Sequence, residues 1–279
     1  MRNHNTARLV AVLLCCLGCV SSAAAQDWVS KKSQWKGFER LHFKIDGKDA
    51  WLTVPKTVMS GRPWIWRARF PGYHSEADEK LLGEGFHVGY VDIAGLFGSL
   101  KAIERADRFY QFVTQKAGLA KKVALEGVSR GGLLVYNWAA KHPNLVACIY
   151  CDTPVCDFKS WPAGQGSGIG HAASWKQCLA AYKLDEKAAL AYAKNPIDHA
   201  AVFAKAKIPL MTIVSDNDRV VPPDENTFVL ETRLRELGHS IEILRVAKGT
   251  KKSNGHHFTH PDPMRVVAFI KKHTTQKAK

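Results

Sequence analysis

The chain has 279 residues, 46% of them hydrophobic, which is enough to bury a sizeable core in one large α/β domain or two small ones; we expect one. Lys and Arg number 40 against 25 Asp and Glu, a formal charge of +15. The lysines are scattered rather than gathered in a block and no nucleic-acid recognition motif accompanies them, so the surplus points first to a solvated surface and then to acidic polymers as partners.

The N-terminal stretch MRNHNTARLVAVLLCCLGCVSSAAAQD places Arg2 and Arg8 before an apolar run from Leu9 to Val20, followed by Ala23-Ala24-Ala25. This fits a secretory signal over residues 1–25 with cleavage after Ala25, leaving residues 26–279 as the mature domain in a periplasmic or secreted setting. A membrane span needs about 20 apolar residues, so no integral membrane segment is expected. A lipoprotein signal ending at Cys19 is the alternative, but Cys16-Leu17-Gly18 is a poor lead-in to a lipidated cysteine. Cys148, Cys151, Cys156 and Cys178 remain after cleavage. In an oxidising compartment they suggest one bridge, Cys156 to Cys178, with Cys148 packed as a small apolar side chain. Their spacing lacks the paired Cys-x-x-Cys and His pattern of a zinc site, and no metal or organic cofactor is implied.

Along the chain, Phe38 to Ile45 and Ala50 to Val54 read as strands joined by an Asp46-Gly47 turn, with Trp64 to Phe70 as a third strand. The pattern then alternates. A helix from Ser75 to Leu82, a strand Phe86 to Ile93, a helix Lys101 to Lys116, a strand Lys122 to Val128, a helix Gly131 to Lys141 and a strand Val146 to Tyr150 follow in turn. Beyond an irregular segment, a strand Pro209 to Val214, a helix Asn226 to Leu237, a strand Ile241 to Val246 and a helix Asp262 to Lys272 complete the chain. This is an α/β fold, a mostly parallel sheet with helices on both faces and an N-terminal antiparallel hairpin. The segment of about 152–207, containing SWPAGQGSGIGHAASW, is too rich in Gly and Ser for core and reads as a lid-like insertion, or else a surface excursion away from substrate.

Active groups of open α/β sheets collect where strands end. Three residues meet that condition. Ser129 lies in Gly127-Val-Ser-Arg-Gly131 at a strand-to-helix junction, Asp218 lies in SDNDRVVPP after the strand Pro209 to Val214, and His256 lies in KGTKKSNGHHFTH after the last strand. Nucleophile, acid and base in that chain order form the Ser-Asp-His arrangement of a serine hydrolase. Each has rivals: His257 and His260 for the base, Asp216, Asp152 and Asp157 for the acid.

With these motifs in this order, the chain resembles the α/β-hydrolase superfamily over nearly its whole mature length. The stretches RPWIWRARFPGYHSEAD, SRGG, DTPVCDFKSWP and GHH with a following Asp-Pro look most like secreted bacterial hydrolases found with carbohydrate-degrading enzymes. Similarity to the dienelactone-hydrolase and prolyl-oligopeptidase branches is more distant. The resemblance implies an oxyanion hole whose first donor is the Arg130 N–H. Pro71 has no N–H to give, so the second donor falls to Phe70, Gly72 or Tyr73, of which Gly72 is carried forward as the candidate.

Trp64, Trp66, Arg67 and Arg69 near the third strand, Arg130 beside Ser129, and Trp161 and Trp175 in the insertion bring aromatic faces and guanidinium forks toward the site. Trp64 and Trp66 are expected in the core, while Arg130, Arg69 and Trp161 are the candidates for substrate contact. Together these features predict a secreted esterase that removes an acetyl or methyl group from a small-molecule or polysaccharide ester, possibly acidic, through an acyl-enzyme. A serine peptidase of the prolyl-oligopeptidase-like type is the enzyme alternative, placed second because no stretch reads as the propeller domain that often accompanies such peptidases. A carbohydrate-binding pseudoenzyme is the alternative outside catalysis.

Overall fold

The computed structural model describes residues 27–275. The expected signal segment lies outside them. Nine strands form one sheet: β1 (Lys31–Trp35), β2 (Phe38–Ile45), β3 (Lys48–Thr53), β4 (Trp64–Ala68), β5 (His87–Val91), β6 (Val123–Val128), β7 (Val146–Asp152), β8 (Leu210–Ser215) and β9 (Ile241–Val246). Their order is β1-β2-β3-β5-β4-β6-β7-β8-β9. The first three are antiparallel, and from β5 onward each neighbour is parallel. This is the sheet of an α/β-hydrolase fold. The hairpin expected from the Asp46-Gly47 turn is present, and β1 adds an edge strand that its mostly polar sequence KKSQW conceals.

The helices are α1 (Glu76–Gly83), α2 (Leu100–Lys116), α3 (Gly131–Lys141), α4 (Ala172–Tyr182), α5 (Glu186–Leu190), α6 (Ala200–Ala206), α7 (Thr227–Glu236) and α8 (Pro263–Thr274). Central strands are buried on both faces, so they read as largely apolar runs, broken in β4 and β6 by Arg67 and Glu126. One face packs side chains of α2, α3, α6 and α7 around Trp66, Phe109, Trp138 and Phe203; the other packs α1 and α8 around Leu81, Tyr150, Met211 and Val267. Trp64 and Trp66 belong to the first of these cores and Ile65 between them to the second, as the alternation of side chains along a strand requires.

Between β7 and β8, residues 153–207 hold the helices α4, α5 and α6 in a stretch that reads as irregular in the sequence. The glycine-rich loop before α4 is tied down by Glu225, whose carboxylate accepts bonds from Ser160 Oγ at 2.6 Å and Ser167 Oγ at 2.7 Å. His171 caps α4 by accepting the Ser174 N–H. Phe97, Leu133, Val155, Phe158, Trp161, Cys178 and Val221 form a separate apolar cluster that seats this segment on α3 and on the loops after β5 and β8. Among the described residues no helix is long and apolar enough to cross a membrane.

The cysteines correct one expectation. Cys148, Cys151, Cys156 and Cys178 are all buried and free, so no bridge joins Cys156 to Cys178. Cys156 packs in the main core and Cys178 in the cluster under α4, so the two thiols belong to different apolar clusters. Burial pushes every one of these thiols above its ordinary pKa, which makes them inert packing groups. Alkylation of denatured, unreduced protein should therefore modify all four, and recovery of an unmodified pair linked by mass would contradict the structure.

Candidate active site

β6 ends at Val128 and α3 begins at Gly131, leaving two residues to reverse the chain. Ser129 takes φ +51°, the left-handed region that is unusual for a side chain larger than glycine. The turn is held from both sides. The Ser129 N–H donates to the Asp152 carbonyl at 2.8 Å, and the Ser129 carbonyl accepts from Gly132 and Val155, each at 3.0 Å. Gly131 is required because a Cβ there would run into the Ala68 carbonyl of β4. At Gly127 a Cβ would crowd the side chains of Val135 and Cys151, so both flanking glycines of the motif have a steric cause, and the outcome is a serine hydroxyl lifted clear of the sheet.

Loops after β8 and β9 bring the other two residues to it. His256 Nε2 lies 3.0 Å from Ser129 Oγ, and its Nδ1 lies 2.6 Å from Asp218 Oδ2. The second carboxylate oxygen of Asp218 accepts the Val220 and Val221 N–H groups at 2.8 and 2.9 Å, which fixes the plane of the carboxylate. Gly255 occupies φ +87°, where a Cβ would collide with the Asn217 carbonyl, so a glycine must precede His256. The geometry joins Ser129, His256 and Asp218 in the order that the sequence suggests.

The rivals fall elsewhere. Asp216 is exposed and paired with Arg245 Nε at 2.8 Å. Asp157 caps its own turn through the Lys159 N–H at 2.8 Å. His257 is exposed at the pocket rim, and His260 is buried against Tyr150 Oη at 2.9 Å. Asp152 instead takes the ring of His74, a pairing that sequence reading missed because the two are far apart in the chain and His74 stands in no recognisable motif.

That pairing has a definite protonation. His74 Nε2 faces the Phe258 carbonyl at 2.7 Å, which can only accept, while Nδ1 faces the Asp152 carboxylate. Both ring nitrogens therefore carry protons and the ring is a cation. Burial alone would drive its pKa down, but the Asp152 hydrogen bond and charge outweigh this and hold it above the ordinary imidazole value. Beneath it, Arg67 bridges Asp78 at 2.6 Å and Glu126 at 2.7 Å, all three buried, and also donates to the Tyr73 carbonyl. Burial and the neighbouring Asp78 and Asp152 push the Glu126 carboxyl well above the usual carboxylate range, against the pull of Arg67.

A cavity of about 380 Å³ opens above Ser129, lined by Phe70, Tyr73, Val128, Arg130, Thr153, Trp161, Val220, His256 and His257. The loop after β4 reaches it by an abrupt route: β4 ends at Ala68 because Arg69 and Phe70 both take positive φ, and the Tyr73 N–H closes a turn onto the Phe70 carbonyl at 3.0 Å. Gly72 sits exposed at the corner of that turn and does not line the cavity, whereas Tyr73 does. The Tyr73 oxygen accepts the Phe258 N–H at 3.3 Å, which leaves its own proton free to donate, and burial keeps the phenol protonated by raising its pKa. The Arg130 N–H makes no hydrogen bond among the described residues. Arg67 is buried in its ion pairs, so of the arginines near β4 only Arg69 approaches the cavity loop. Among the described residues no cluster of His, Cys, Asp or Glu is placed to hold a metal ion.

The prolyl oligopeptidase family model matches residues 107–276. No curated protein matches the sequence. Solved structures with similar folds include a puromycin-hydrolyzing peptidase of Mycobacterium tuberculosis, 16% identical with a TM-score of 0.66 over 85% of this chain and 40% of that one. An acylaminoacyl peptidase of Pyrococcus horikoshii is 18% identical with a TM-score of 0.65 over 87% and 42%, and a dipeptidyl peptidase 4 of Porphyromonas gingivalis is 13% identical with a TM-score of 0.62 over 86% and 36%. The chain thus spans about two fifths of the length of these proteins. The match falls on a branch to which the motifs alone suggest only a distant likeness.

His74 and Asp152 are 8% and 1% exposed as side chains, so removing one strands the other in a buried site. His74→Ala should lower unfolding free energy by about 3 kcal/mol in denaturant titration. Because the folded pKa is raised, the stabilisation should be complete below about pH 6.5 and decline as pH rises through the raised value. Equal destabilisation at all pH values would contradict a cationic His74.

Proposed function

The chain belongs to the prolyl oligopeptidase family, and on that premise we propose that it is a serine hydrolase acting on peptide-like acyl substrates through an acyl-enzyme at Ser129. The single observation that carries this reading is the continuous hydrogen-bonded line from Ser129 Oγ through His256 to Asp218. A serine hydroxyl is a poor nucleophile at neutral pH, so His256 Nε2 takes its proton as Oγ attacks the acyl carbon. Asp218 keeps the other imidazole proton on Nδ1 and stabilises the cation that forms. The carbonyl oxygen becomes an oxyanion held by the Arg130 N–H and the Tyr73 hydroxyl. As the tetrahedral species collapses, the imidazolium returns the proton to the departing amine or alcohol. Water then enters, gives one proton to His256, attacks the acyl carbon, and the second collapse releases the acid and restores Ser129.

Ester cleavage is the second reading. The same acyl-enzyme accepts esters, and Trp161 in the pocket supplies an aromatic face suited to a sugar ring. The residues 1–25, read as a leader, support export and so an extracellular carbohydrate ester as one substrate. We take residues 26–279 to act as a unit in which the segment over the sheet edge helps to bound the pocket through Trp161.

Ser129→Ala should lower turnover of short N-blocked peptide anilides or nitrophenyl esters by about 10³-fold or more. Binding of substrate by that variant with wild-type enzyme equally silent would favour the pseudoenzyme. Tyr73→Phe should lower kcat by roughly 10²-fold with little change in KM, read from steady-state kinetics; an unchanged kcat would return the second donor to the backbone of Phe70 or Gly72.

A further inference from the structure

Arg130 remains unexplained by the triad. Its backbone serves the oxyanion, but its side chain is half-buried in the pocket wall beside Ser129. The guanidinium carbon lies 5.1 Å from the ring centre of Trp161, 5.6 Å from Phe70 and 5.9 Å from Phe97. Such rings favour the cation but offer no acceptor to its five N–H donors. Among the described residues the Arg130 side chain makes no hydrogen bond, and no carboxylate lies within 4.0 Å of it. A role in tethering the elbow would require the bonds that are missing.

Arg69 stands on the same aromatic ring, its guanidinium carbon 4.9 Å from the centre of Phe70. Its one acidic neighbour is Asp92, at 3.7 Å and itself a third exposed, and Arg69 Nε is buried without a partner. Two guanidinium groups thus share the Phe70 ring, and among the described residues only Arg69 has a carboxylate partner. Burial and the charge of Arg69 both press the Arg130 pKa downward, which is what a partly dehydrated cation lacking a counter-ion shows. Arg69 thus has a carboxylate within 4.0 Å, and among the described residues Arg130 has none.

We infer that the pocket selects substrates bearing a carboxylate near the scissile bond, with Arg130 as its principal partner and Arg69 in support. This rests on the hydrolase reading. The aromatic cage has already removed much of the water from the guanidinium and fixes its plane, so an entering carboxylate meets a pre-oriented fork and gains charge-assisted hydrogen bonds at little further ordering. Trp161 contributes by holding that fork and by covering the apolar part of the substrate.

Matched nitrophenyl esters test this. The neutral butanoate is compared with the hemisuccinate, which carries a carboxylate on the acyl side, and with the butanoate of a carboxylated nitrophenol, which carries it on the leaving side. Rates are referred to active sites titrated with an uncharged fluorophosphonate. At least one anionic ester should be preferred by about tenfold or more in kcat/KM, and that preference should collapse in Arg130→Gln and weaken in Arg69→Gln. A wild-type preference for neither anionic ester, or one that survives in both variants, overturns the inference. If none of these esters is cleaved, turnover of N-blocked peptide anilides decides the hydrolase reading separately, and calorimetry with N-phenylsuccinamic acid against neutral butyranilide decides the carboxylate site. Tighter binding of the acid that is lost in Arg130→Gln supports the site, and equal affinity for the two removes it.

Discussion

The ion pair between His74 and Asp152 joins the three loops from which the site is built. Through its side chain Asp152 holds His74, which belongs to the loop after β4 and places Tyr73 beside it. Through its carbonyl the same residue holds the Ser129 N–H, and so fixes the elbow after β6. The other side of the His74 ring grips the Phe258 carbonyl, two residues beyond His256. Nucleophile, base and the hydroxyl assigned to the oxyanion are therefore referenced to one buried contact, which explains why the fold accepts the expense of a charged cluster inside it.

The arrangement also separates two uses of arginine that sequence cannot. Arg67 and Arg69 are neighbours but one, yet Arg67 points into the sheet's lower layer and is consumed by Asp78 and Glu126, while Arg69 follows the reversal in backbone direction to the cavity side. A two-residue step along a regular strand would have kept both on one face. The positive φ values at Arg69 and Phe70 break that rule, and with it the alternation on which face assignments depend.

Most of the architecture was legible because it rests on local pattern. Apolar runs of strand length, the Asp46-Gly47 turn and the glycines around Ser129 each have a short-range physical cause, and the order Ser129, Asp218, His256 follows from where the parallel strands end. What escaped depends on long-range contact. The polar edge strand β1 has no apolar alternation to reveal it, and α4 to α6 hide behind a glycine-rich lead whose order comes from Glu225, far along the chain. The expected Cys156 to Cys178 bridge assumed that proximity in sequence and an oxidising compartment suffice, whereas the two thiols fill different apolar clusters. Gly72 became a donor candidate only because Pro71 lacks an N–H, but the turn from Phe70 to Tyr73 leaves it at the exposed corner.

The most direct measurement is peptide mapping by mass spectrometry after reaction with a fluorophosphonate, which captures only a serine whose proton is taken by a competent base. The account expects one adduct, on Ser129, at a rate that collapses when His256 is replaced by alanine. An adduct on another residue, or none on folded protein, would contradict a working triad and leave Ser129 as the apex of a strained turn.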